Sequence, residues 1–573
     1  MSHSQATSQT DPSGTFRFAT ILLALSMFFT GASGLVAEFL LATVSTYILG
    51  SSIEQFSITF GVMLGFMGVG GWVQKFFSDS RLIEKFILLE ILLAWLTGFA
   101  PLAIYTAFGL LEDHFLLVQY FFIMGIGFLI GFEIPFVIRI NEKYARTLKS
   151  NLAVVTAADY LGAFVFTFVW VYWFLGRFPL TEIGFLVAGI NFFVAIITAL
   201  YFAKQRLVSL KWSLLILILG TAASLLFGYH HNRAWNLDLE QRLYEDRIVL
   251  AETTPYQRLV LTHRKRLDEY RFYINGNLQF SSLDEVRYHE LLVHPVMALV
   301  ESPKRVLVLG GGDGLAVREL LKYTRIEAIT LVELDPRMVQ LFSTHPLLTR
   351  LNQEAFRDAR VRVEETPGIE SDGVKGIYQE TGRVDPKTQL AETRWVAGVE
   401  VIHIDADLFL NTPSADQSPW DVVIIDFPDP SSVELAKLYS KEFYLKLRRV
   451  LAPQGMVAVQ STSPYHAKEV FLTIGRTLAA AGFQTLPYHA NIPSFGEWGW
   501  HLAWIPGRLP DRISQPISQL QGWSVPTAFL TVELFRAATV FGKGELDSHS
   551  REVSTLMNPI LLDDYLRAGW QME

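Results

Sequence analysis

The first 230 residues carry long apolar stretches, and these constrain the fold more than any other feature of the chain. A helix of about 20 apolar residues crosses the roughly 30 Å hydrocarbon layer of a bilayer. Stretches that meet this length cover residues 17–50, 56–77, 83–108, 115–140, 152–175, 180–202 and 212–229. We therefore predict a multi-pass α-helical membrane domain of about seven helices over residues 17–229, with a lipid bilayer as its partner. The first stretch is long enough to be kinked at Gly31 and Gly34, or to contain a second, re-entrant piece.

Basic residues are concentrated in the connections after the second, fourth and sixth stretches. In the connections on the other side, after the first, third and fifth stretches, Arg177 stands almost alone. The basic residues of the first group of connections are Lys75, Arg81, Lys85, Arg139, Lys143, Arg146, Lys149, Lys204, Arg206 and Lys211. The positive-inside rule places this first group of connections and the N-terminus in the cytoplasm of a cell (inner) membrane protein. Seven crossings would then put everything after residue 230 outside. The side stays open, because the first stretch could count as two crossings or the last could fail to cross.

Four acidic residues interrupt the apolar stretches, namely Glu38, Glu90, Glu133 and Asp159. A charge at the bilayer centre costs at least about 2.5–3.5 kcal/mol, so each acid requires a physical reason. One interpretation is a pathway for cations. The other is hydrogen bonding between helices, or carboxyl groups near segment ends that reach the interface.

Composition excludes several kinds of function. The net charge of −8 and the lack of a basic patch argue against a nucleic-acid partner, because phosphate binding requires a basic surface. The chain has no cysteine, so disulfides, thiol nucleophiles and cysteine-ligated metals are excluded. Residues 1–16 are rich in Ser, Thr and Gln and lack the basic region of a signal peptide, which predicts a disordered tail.

The pattern changes after residue 250 to short alternating segments, after a linker over residues 230–252. Segments Arg258–Thr262 and Tyr270–Asn275 predict a small β-hairpin subdomain over residues 253–302. From Arg305, the sequence RVLVLGGGDGLAVRELLKY reads as a strand, a glycine-rich turn and a helix.

A second strand ends at Glu333, and further strands are expected at 399–405, 420–427 and 456–461, with a helix at 441–450. These elements predict an α/β Rossmann-like, methyltransferase-type domain over residues 303–510. Residues 366–398 are polar without a clear period and are interpreted as an inserted loop, and residues 511–573 as a C-terminal helical cap.

The glycine-rich turn and the acid after it predict nucleoside binding. Gly310, Gly311 and Gly312 stand where open α/β sheets bind nucleotides, because glycine lets backbone approach a ligand. Glu333 follows Gly310 at about the offset at which an acidic side chain contacts ribose hydroxyls. The alternative for Glu333 is a helix cap or a solvated strand end.

Asp313 separates the ligand classes that share this layout, which include NAD and S-adenosylmethionine. Its carboxylate would face a diphosphate or the carboxylate of S-adenosylmethionine, and like charges about 4 Å apart cost about 4 kcal/mol at an effective dielectric of about 20. Decarboxylated S-adenosylmethionine keeps only an ammonium and a sulfonium, and both are attracted by Asp313. The turn therefore predicts a cationic ligand.

Two more carboxylates follow the strand at 420–427. Asp426 and Asp429 stand three residues apart at the carboxyl edge of the expected sheet. One can act as general base toward an amine while the other holds an ammonium. Turn chemistry also favours Asp and Pro, but the apolar strand just before them favours a site.

Several motifs in order and spacing resemble the spermidine synthases over residues 253–505. They are Tyr256-Gln257, Asn275-Gly276 to Gln279, Asp284-Glu285, Tyr288-His289-Glu290, His294-Pro295, GGGDG, VELD, IDAD and Asp-x-x-Asp-Pro. The hydrophobic N-terminal half, with DFPDP, KLYSKEFY and GEWGW, resembles the membrane-fused subgroup of these polyamine aminopropyltransferases.

The resemblance implies transfer of an aminopropyl group from decarboxylated S-adenosylmethionine, a co-substrate, to putrescine or a similar diamine, giving spermidine and methylthioadenosine. No other cofactor and no metal are expected, and relatives commonly form homodimers. The implied roles are Asp426 as base, Asp429 on the far amine, Asp313 on the aminopropyl ammonium, Glu333 on the ribose, Asp405 and Ala406 on the adenine, Gln257 and His289 lining the nucleoside pocket, and Tyr288 and Gln460 bordering the amine channel.

The chain departs from the family pattern near the amine. Ser431-Ser432-Val433 replaces the common Gly-Pro-Ala, and Phe495 stands where many relatives have tyrosine. Two other functions stay open. One is an S-adenosylmethionine-dependent methyltransferase, against which Asp313 argues. The other is a polyamine transporter or sensor with a ligand-binding soluble domain.

Overall fold

The computed structural model describes residues 12–49, 52–111, 114–145, 147–175, 177–208, 211–358, 361–363, 377–384, 391–412, 419–507 and 514–568. Within these limits the chain forms two compact units, Met1–Ile248 and Val249–Glu573. The first unit is helical and the second is built around two β-sheets.

The first unit contains seven long apolar helices in the part of the chain that the structure describes, as the sequence predicts. They are α1 Pro12–Leu49, α2 Ser52–Val73, α3 Leu82–Leu111, α4 Phe115–Asn141, α5 Leu148–Val169, α6 Leu180–Lys204 and α7 Trp212–Gln241. Each is long and apolar enough to cross a bilayer.

Three boundaries differ from the sequence-based expectation. Helix α1 is one continuous helix, so of the two alternatives for the first stretch the re-entrant piece is wrong. It begins at Pro12, inside the expected tail, of which residues 1–11 lie outside the described part. Helix α7 runs to Gln241, well into the expected linker. The sequence-based expectation ended at residue 229 because the last three turns of the helix are too polar to count as an apolar stretch.

Acidic side chains from three helices converge inside the helical unit. Glu133 of α4 interacts electrostatically with Glu90 of α3 and Asp159 of α5, and Thr30 of α1 hydrogen bonds to Glu133. A Cβ atom on Gly31 would lie 2.6 Å from the Asp159 Oδ1, which shows how closely α1 approaches this carboxylate. The fourth acid, Glu38, is half-buried on α1.

The second unit begins with a four-stranded sheet rather than a lone hairpin, and its second, third and fourth strands pair antiparallel. Its strands, in spatial order, are β1 Arg247–Thr253, β2 Arg258–Arg264, β3 Glu269–Ile274 and β4 Asn277–Ser281. Strand β1 was not foreseen and lies mostly in the expected linker. Asn275 and Gly276 have φ values of 51° and 82°, so the turn between β3 and β4 needs residues that tolerate positive φ.

A nine-stranded mixed sheet forms the core of this unit. Its nine strands are β5 Arg305–Gly310, β6 Ala328–Val332, β7 Val361–Val363, β8 Ile377–Val384, β9 Ala391–Ile402, β10 Trp420–Asp426, β11 Leu451–Gln460, β12 Gln484–Ile492 and β13 Gly496–Trp504. The order is β12-β13-β11-β10-β5-β6-β9-β7, with β8 paired to β9. Strands β11, β10, β5, β6 and β9 are parallel, so their carboxyl ends share one edge.

Helices connect these strands and cover the sheet. They are α8 Glu285–Leu299, α9 Leu315–Leu321, α10 Pro336–Thr344, α11 Pro346–Leu351, α12 Ala406–Phe409, α13 Val433–Ala436, α14 Lys441–Val450, α15 Lys468–Ala480, α16 Ser514–Gln519, α17 Val532–Ala538 and α18 Ile560–Ala568. The expected helix at 441–450 matches α14. The expected C-terminal helical cap contains only three short helices, α16 to α18, among its described residues.

The expectation of a loop at 366–398 is wrong for the residues that the structure describes there. Strand β8 pairs antiparallel with the first part of β9, while residues 364–376 and 385–390 lie outside the described part. The polar residues of this hairpin give no alternating apolar pattern, and such a pattern is the signal by which strands are found in sequences.

Candidate active site

The glycine-rich turn lies directly against the end of the neighbouring strand. Gly310 closes β5 opposite Asp426 of β10. Gly310 and Gly311 have φ values of 80° and 73°. A Cβ atom on Gly310 would lie 2.4 Å from the Asp426 carbonyl oxygen, and one on Gly311 would lie 3.2 Å from Asp426 Oδ2. Both glycines are therefore required for the turn to approach the Asp426 carboxylate.

Glu333 joins the glycine-rich turn to the end of β6. Its Oε2 accepts a hydrogen bond from the Gly312 N–H at 3.1 Å, and its Oε1 accepts one from the Asp335 N–H at 3.0 Å. Burial raises the pKa of Glu333 to about 7. The side chain thus stands where the sequence predicts, at the turn, rather than on a solvated strand end.

Gln257 is connected to this region through Asp335, which was not among the predicted site residues. Its Nε2 donates to Asp335 Oδ2 at 2.9 Å, and Thr254 Oγ1 donates to the same oxygen at 2.7 Å. Asp335 also caps α10 by accepting from the Arg337 N–H at 3.0 Å. The signal that could have found it is the Asp-Pro pair at a strand-to-helix junction, a common helix start.

Asp426 and Asp313 face the same histidine. The Tyr288 hydroxyl donates to Asp426 Oδ1 at 2.7 Å. Burial raises the pKa of Asp426, opposed by His289 and by the Tyr288 hydrogen bond. Burial also raises the pKa of Asp313 to about 6, opposed by His289 and reinforced by Asp426. The two carboxylates are therefore close enough to repel each other around one imidazole.

His289 is held as a cation between these carboxylates. Burial lowers its pKa, but a hydrogen bond and the charge of Glu285, with Asp313 and Asp426, raise it to about 9. Glu285 Oε2 lies 3.0 Å from His289 Nδ1, and Arg318 binds both Glu285 oxygens at 2.7 and 2.9 Å. Glu285 and Arg318 were not predicted as site residues, although the four-residue spacing of Glu285 and His289 on a helix is a usable signal.

Asp429 is surrounded by hydroxyl and amide donors. Gln460 Nε2 donates to its Oδ1 at 3.1 Å, Thr462 Oγ1 donates to its Oδ2 at 3.0 Å, and the Tyr565 hydroxyl also donates to it. Burial raises the pKa of Asp429 to about 6, and these three donors each lower it. Thr462 and Tyr565 carry no sequence signal that links them to Asp429.

Gln460 and Phe495 border the same region. Gln460 Nε2 also donates to the Phe427 carbonyl at 2.7 Å and lies 2.8 Å from the Tyr439 hydroxyl. The Phe495 ring is buried, with its centroid 6.1 Å from that of Tyr288 and 4.7 Å from that of Trp498. The position that often holds tyrosine in relatives therefore contributes an apolar aromatic wall next to Tyr288.

Asp405 and Ala406 stand just beyond β9, and β9 pairs with the strand that leads to Glu333. Asp405 Oδ1 accepts the N–H groups of Asp407 and Leu408 at 2.9 and 3.2 Å, which makes it the cap of α12. Its Oδ2 accepts from Lys437 Nζ at 2.7 Å. Burial raises its pKa, but Lys437 and the two N–H groups outweigh this and lower it. Ala406 is buried.

One buried trio has the geometry of a metal site. Ligand atoms of Glu290, His294 and Glu319 lie within 4.8 Å of one another. The Glu290 oxygens, however, accept three backbone N–H groups at residues 528–530, and Glu319 accepts from Arg318 and Lys322. The trio therefore fits a structural hydrogen-bond network, since its carboxylates already have strong donors.

Comparison with known proteins gives consistent matches. The family model of the spermine/spermidine synthase domain matches residues 285–371 and 398–511. Polyamine aminopropyltransferase 2 of Ralstonia nicotianae is 39% identical over 514 residues, which are 89% of this chain and 91% of that protein. The polyamine aminopropyltransferase of Leptospira interrogans is 37% identical over 84% of this chain and 87% of its own length.

A solved spermidine synthase in complex with the transition state analogue AdoDATO has 20% identity and a TM-score of 0.40, over 52% of this chain and 88% of its own. The alignment with the Ralstonia protein must extend into the helical unit, because residues 249–573 number only 325 of the 514 aligned. The motifs quoted above and the identity to full-length relatives together show that the chain belongs to the polyamine aminopropyltransferase family.

Proposed function

We propose that this chain transfers the aminopropyl group of decarboxylated S-adenosylmethionine to putrescine or a similar diamine, giving spermidine and methylthioadenosine. The observation that carries this proposal is the grouping of Asp313, Asp426 and Asp429 at one edge of the sheet, where Asp313 is buried and the other two are half-buried. Burial raises the pKa of each. A cationic ligand would restore their ionised forms, because a nearby positive charge favours a carboxylate.

In the proposed reaction, an amine nitrogen attacks the aminopropyl carbon attached to the sulfonium. A C–N bond forms, the C–S bond breaks with its electron pair going to sulfur, and the nitrogen loses a proton to Asp426. Tyr288, which donates to Asp426 Oδ1 at 2.7 Å, fixes this carboxylate and leaves Oδ2 toward Gly311. Asp429 binds the far ammonium of the diamine by charge-assisted hydrogen bonding.

The remaining predicted residues would bind the co-substrate. Asp313 attracts the aminopropyl ammonium, and Glu333 accepts hydrogen bonds from the ribose hydroxyls. Gly310 to Gly312 allow backbone contact with the nucleoside. Gln257 lines the same pocket and is held there by its hydrogen bond to Asp335. Asp405 caps the N-terminus of α12, and together with Ala406, the first residue of that helix, it contacts the adenine. His289 lines the nucleoside pocket and supplies a fixed positive charge there.

The test uses the full-length protein in detergent with decarboxylated S-adenosylmethionine and a panel of diamines. Methylthioadenosine release is expected from the wild-type protein, and Asp426→Asn should lower it by about 10²–10⁴-fold, as for loss of a general base. The matched control is Asp268→Asn on an exposed turn, where φ is 51° and Asn is tolerated. No release with any amine would refute the proposal, and release of S-adenosylhomocysteine from S-adenosylmethionine would favour a methyltransferase.

We further propose that the seven apolar helices anchor the chain in the cell (inner) membrane as a multi-pass protein, and that the purified protein is a homodimer. Carbonate extraction should leave the chain in the membrane pellet. Light scattering of the detergent complex, corrected for bound detergent, should give twice the monomer mass. A peripheral, carbonate-soluble protein would contradict the anchor, and a monomer mass would contradict the dimer.

Polyamine transport by the helical unit is a second candidate function. Both carboxylate oxygens of Glu90 are buried without a hydrogen-bond partner among the described residues, and the Glu133 carboxylate interacts electrostatically with Glu90 and with Asp159. Unpaired intramembrane acids mark cation pathways in many transporters. If this function holds, Glu133→Gln should abolish putrescine uptake by proteoliposomes, whereas the exposed-site control Glu54→Gln should not. Unchanged uptake with Glu133→Gln, or no uptake by the wild type, would refute it.

A further inference from the structure

The C-terminal helix α18 contributes a side chain to the candidate active site. Tyr565 lies on this helix and packs against the apolar cluster that contains Phe427 and Tyr439, the residues next to Asp429 and Gln460. Its hydroxyl donates to the carboxylate of Asp429. The matched spermine/spermidine synthase domain ends at residue 511, so Tyr565 comes from a segment outside that domain. The Asp429 surroundings are therefore completed by a residue that lies beyond the matched range.

Helix α18 is held in place by contacts that do not involve the Tyr565 hydroxyl. Leu561 is fully buried in the same apolar cluster as Phe427. Asp564 Oδ2 accepts from Thr473 Oγ1 of α15 at 3.2 Å. The preceding segment is tied down as well, because Ser554 accepts from the Lys441 N–H at 2.9 Å and donates its own N–H to Thr477 at 3.1 Å. Removing the hydroxyl should thus leave the helix docked.

We propose that Tyr565 is a positioning residue for the amine substrate, because it orients the Asp429 carboxylate. This inference rests on the proposed function, in which Asp429 binds the far ammonium of the diamine. Gln460 and Thr462 each bind a different oxygen of Asp429, and Tyr565 adds a third donor. Three donors favour the charged form and leave the carboxylate few alternative orientations.

The variant Tyr565→Phe removes only the hydroxyl. The KM for the diamine should rise about 3- to 10-fold, the range expected for one hydrogen bond, while kcat and the KM for decarboxylated S-adenosylmethionine stay unchanged. The acidic limb of kcat/KM for the diamine should also move to higher pH. The sign follows because the lost donor had lowered the pKa of Asp429, which is about 6 with all three donors present.

The matched control is Tyr465→Phe, because Tyr465 belongs to the same unit and is 77% exposed. It should leave both KM values and the pH profile unchanged. If Tyr565→Phe had the same KM for the diamine and the same pH profile as the wild-type protein, the proposal would be overturned. Equal changes in both KM values together with a lower Tm would also overturn it, because they would indicate a structural role. Failure of the proposed function is distinguishable, since the wild-type protein would then release no methylthioadenosine.

Discussion

At the scale of single residues, the candidate site is a balance of buried charges around His289. Burial raises the pKa of both Asp313 and Asp426, the charge of Asp426 raises that of Asp313 further, and the protonated imidazole opposes the rise in both. The imidazole in turn depends on Glu285, which Arg318 holds from the other side. This arrangement places one fixed positive charge among several carboxylates, and leaves net negative charge for a cationic ligand.

The pH dependence of co-substrate binding follows from Asp313. Its pKa is raised to about 6, mainly by burial, so the carboxylate becomes protonated as the pH falls through that value. We expect the affinity for decarboxylated S-adenosylmethionine to be full at pH 8 and to be lost progressively below about pH 6. Calorimetric titrations from pH 5 to pH 8 measure this directly. An affinity that stays constant over this range would show that Asp313 does not bind the ammonium.

At the scale of elements, helix α8 organises the second unit through two of its faces. Glu285, Tyr288 and His289 point toward the site residues, at spacings of three and four residues that place side chains on one side of a helix. Glu290 instead accepts the N–H groups of Ala528, Phe529 and Leu530 at 2.5, 2.9 and 2.7 Å. The same helix therefore supports the site and fixes the segment before α17.

Substitution of Glu290 should separate these two roles. Glu290→Gln replaces one acceptor oxygen by a donor that faces backbone N–H groups, and should lower the free energy of unfolding by about 2 kcal/mol. Thermal unfolding in detergent should show a lower Tm, with both substrate KM values unchanged. Glu301→Gln, at an exposed position just after α8, is the control and should leave the Tm unchanged. A Tm equal to that of the wild type would contradict the assigned role of Glu290.

Elements with strong periodicity were predictable, and those without it were not. The strand at 305–310 and helix α14 match their expected positions because apolar runs and flanking turn residues define them. Strand β8 and the first part of β9 were mistaken for a loop because their hairpin is polar, whereas the expected strand at 399–405 overlaps the end of β9. Strand β1 was missed because its short alternating pattern follows directly on the end of α7.

At the scale of the whole molecule, seven long apolar helices precede the sheet-containing unit among the described residues. If all seven cross a membrane, as proposed, the odd number of crossings places the two ends of the helical unit on opposite sides of it. The basic residues near Lys75, Lys85, Arg139 and Lys143 mark the cytoplasmic side under the positive-inside rule. The connection after α7 would then lie on the other side.

Reporter fusions test this topology. A phosphatase reporter, which is active only outside the cytoplasm, should be inactive when fused after residue 143 and active when fused after residue 240. A green fluorescent reporter at the same two positions should give the reverse pattern. The same side at both positions would mean that one of the helices α5 to α7 does not cross.

The sequence alone determined the division into an apolar helical half and an α/β half, the glycine-rich turn, and the identity of the acids at the strand ends. These features are local, because they follow from the lengths and periods of side-chain patterns. Only the tertiary structure decided that Asp313 and Asp426 share His289, that Gln257 acts through Asp335, and that Tyr565 reaches Asp429. Such contacts join residues far apart in the chain, and their geometry depends on how the whole sheet and its helices pack.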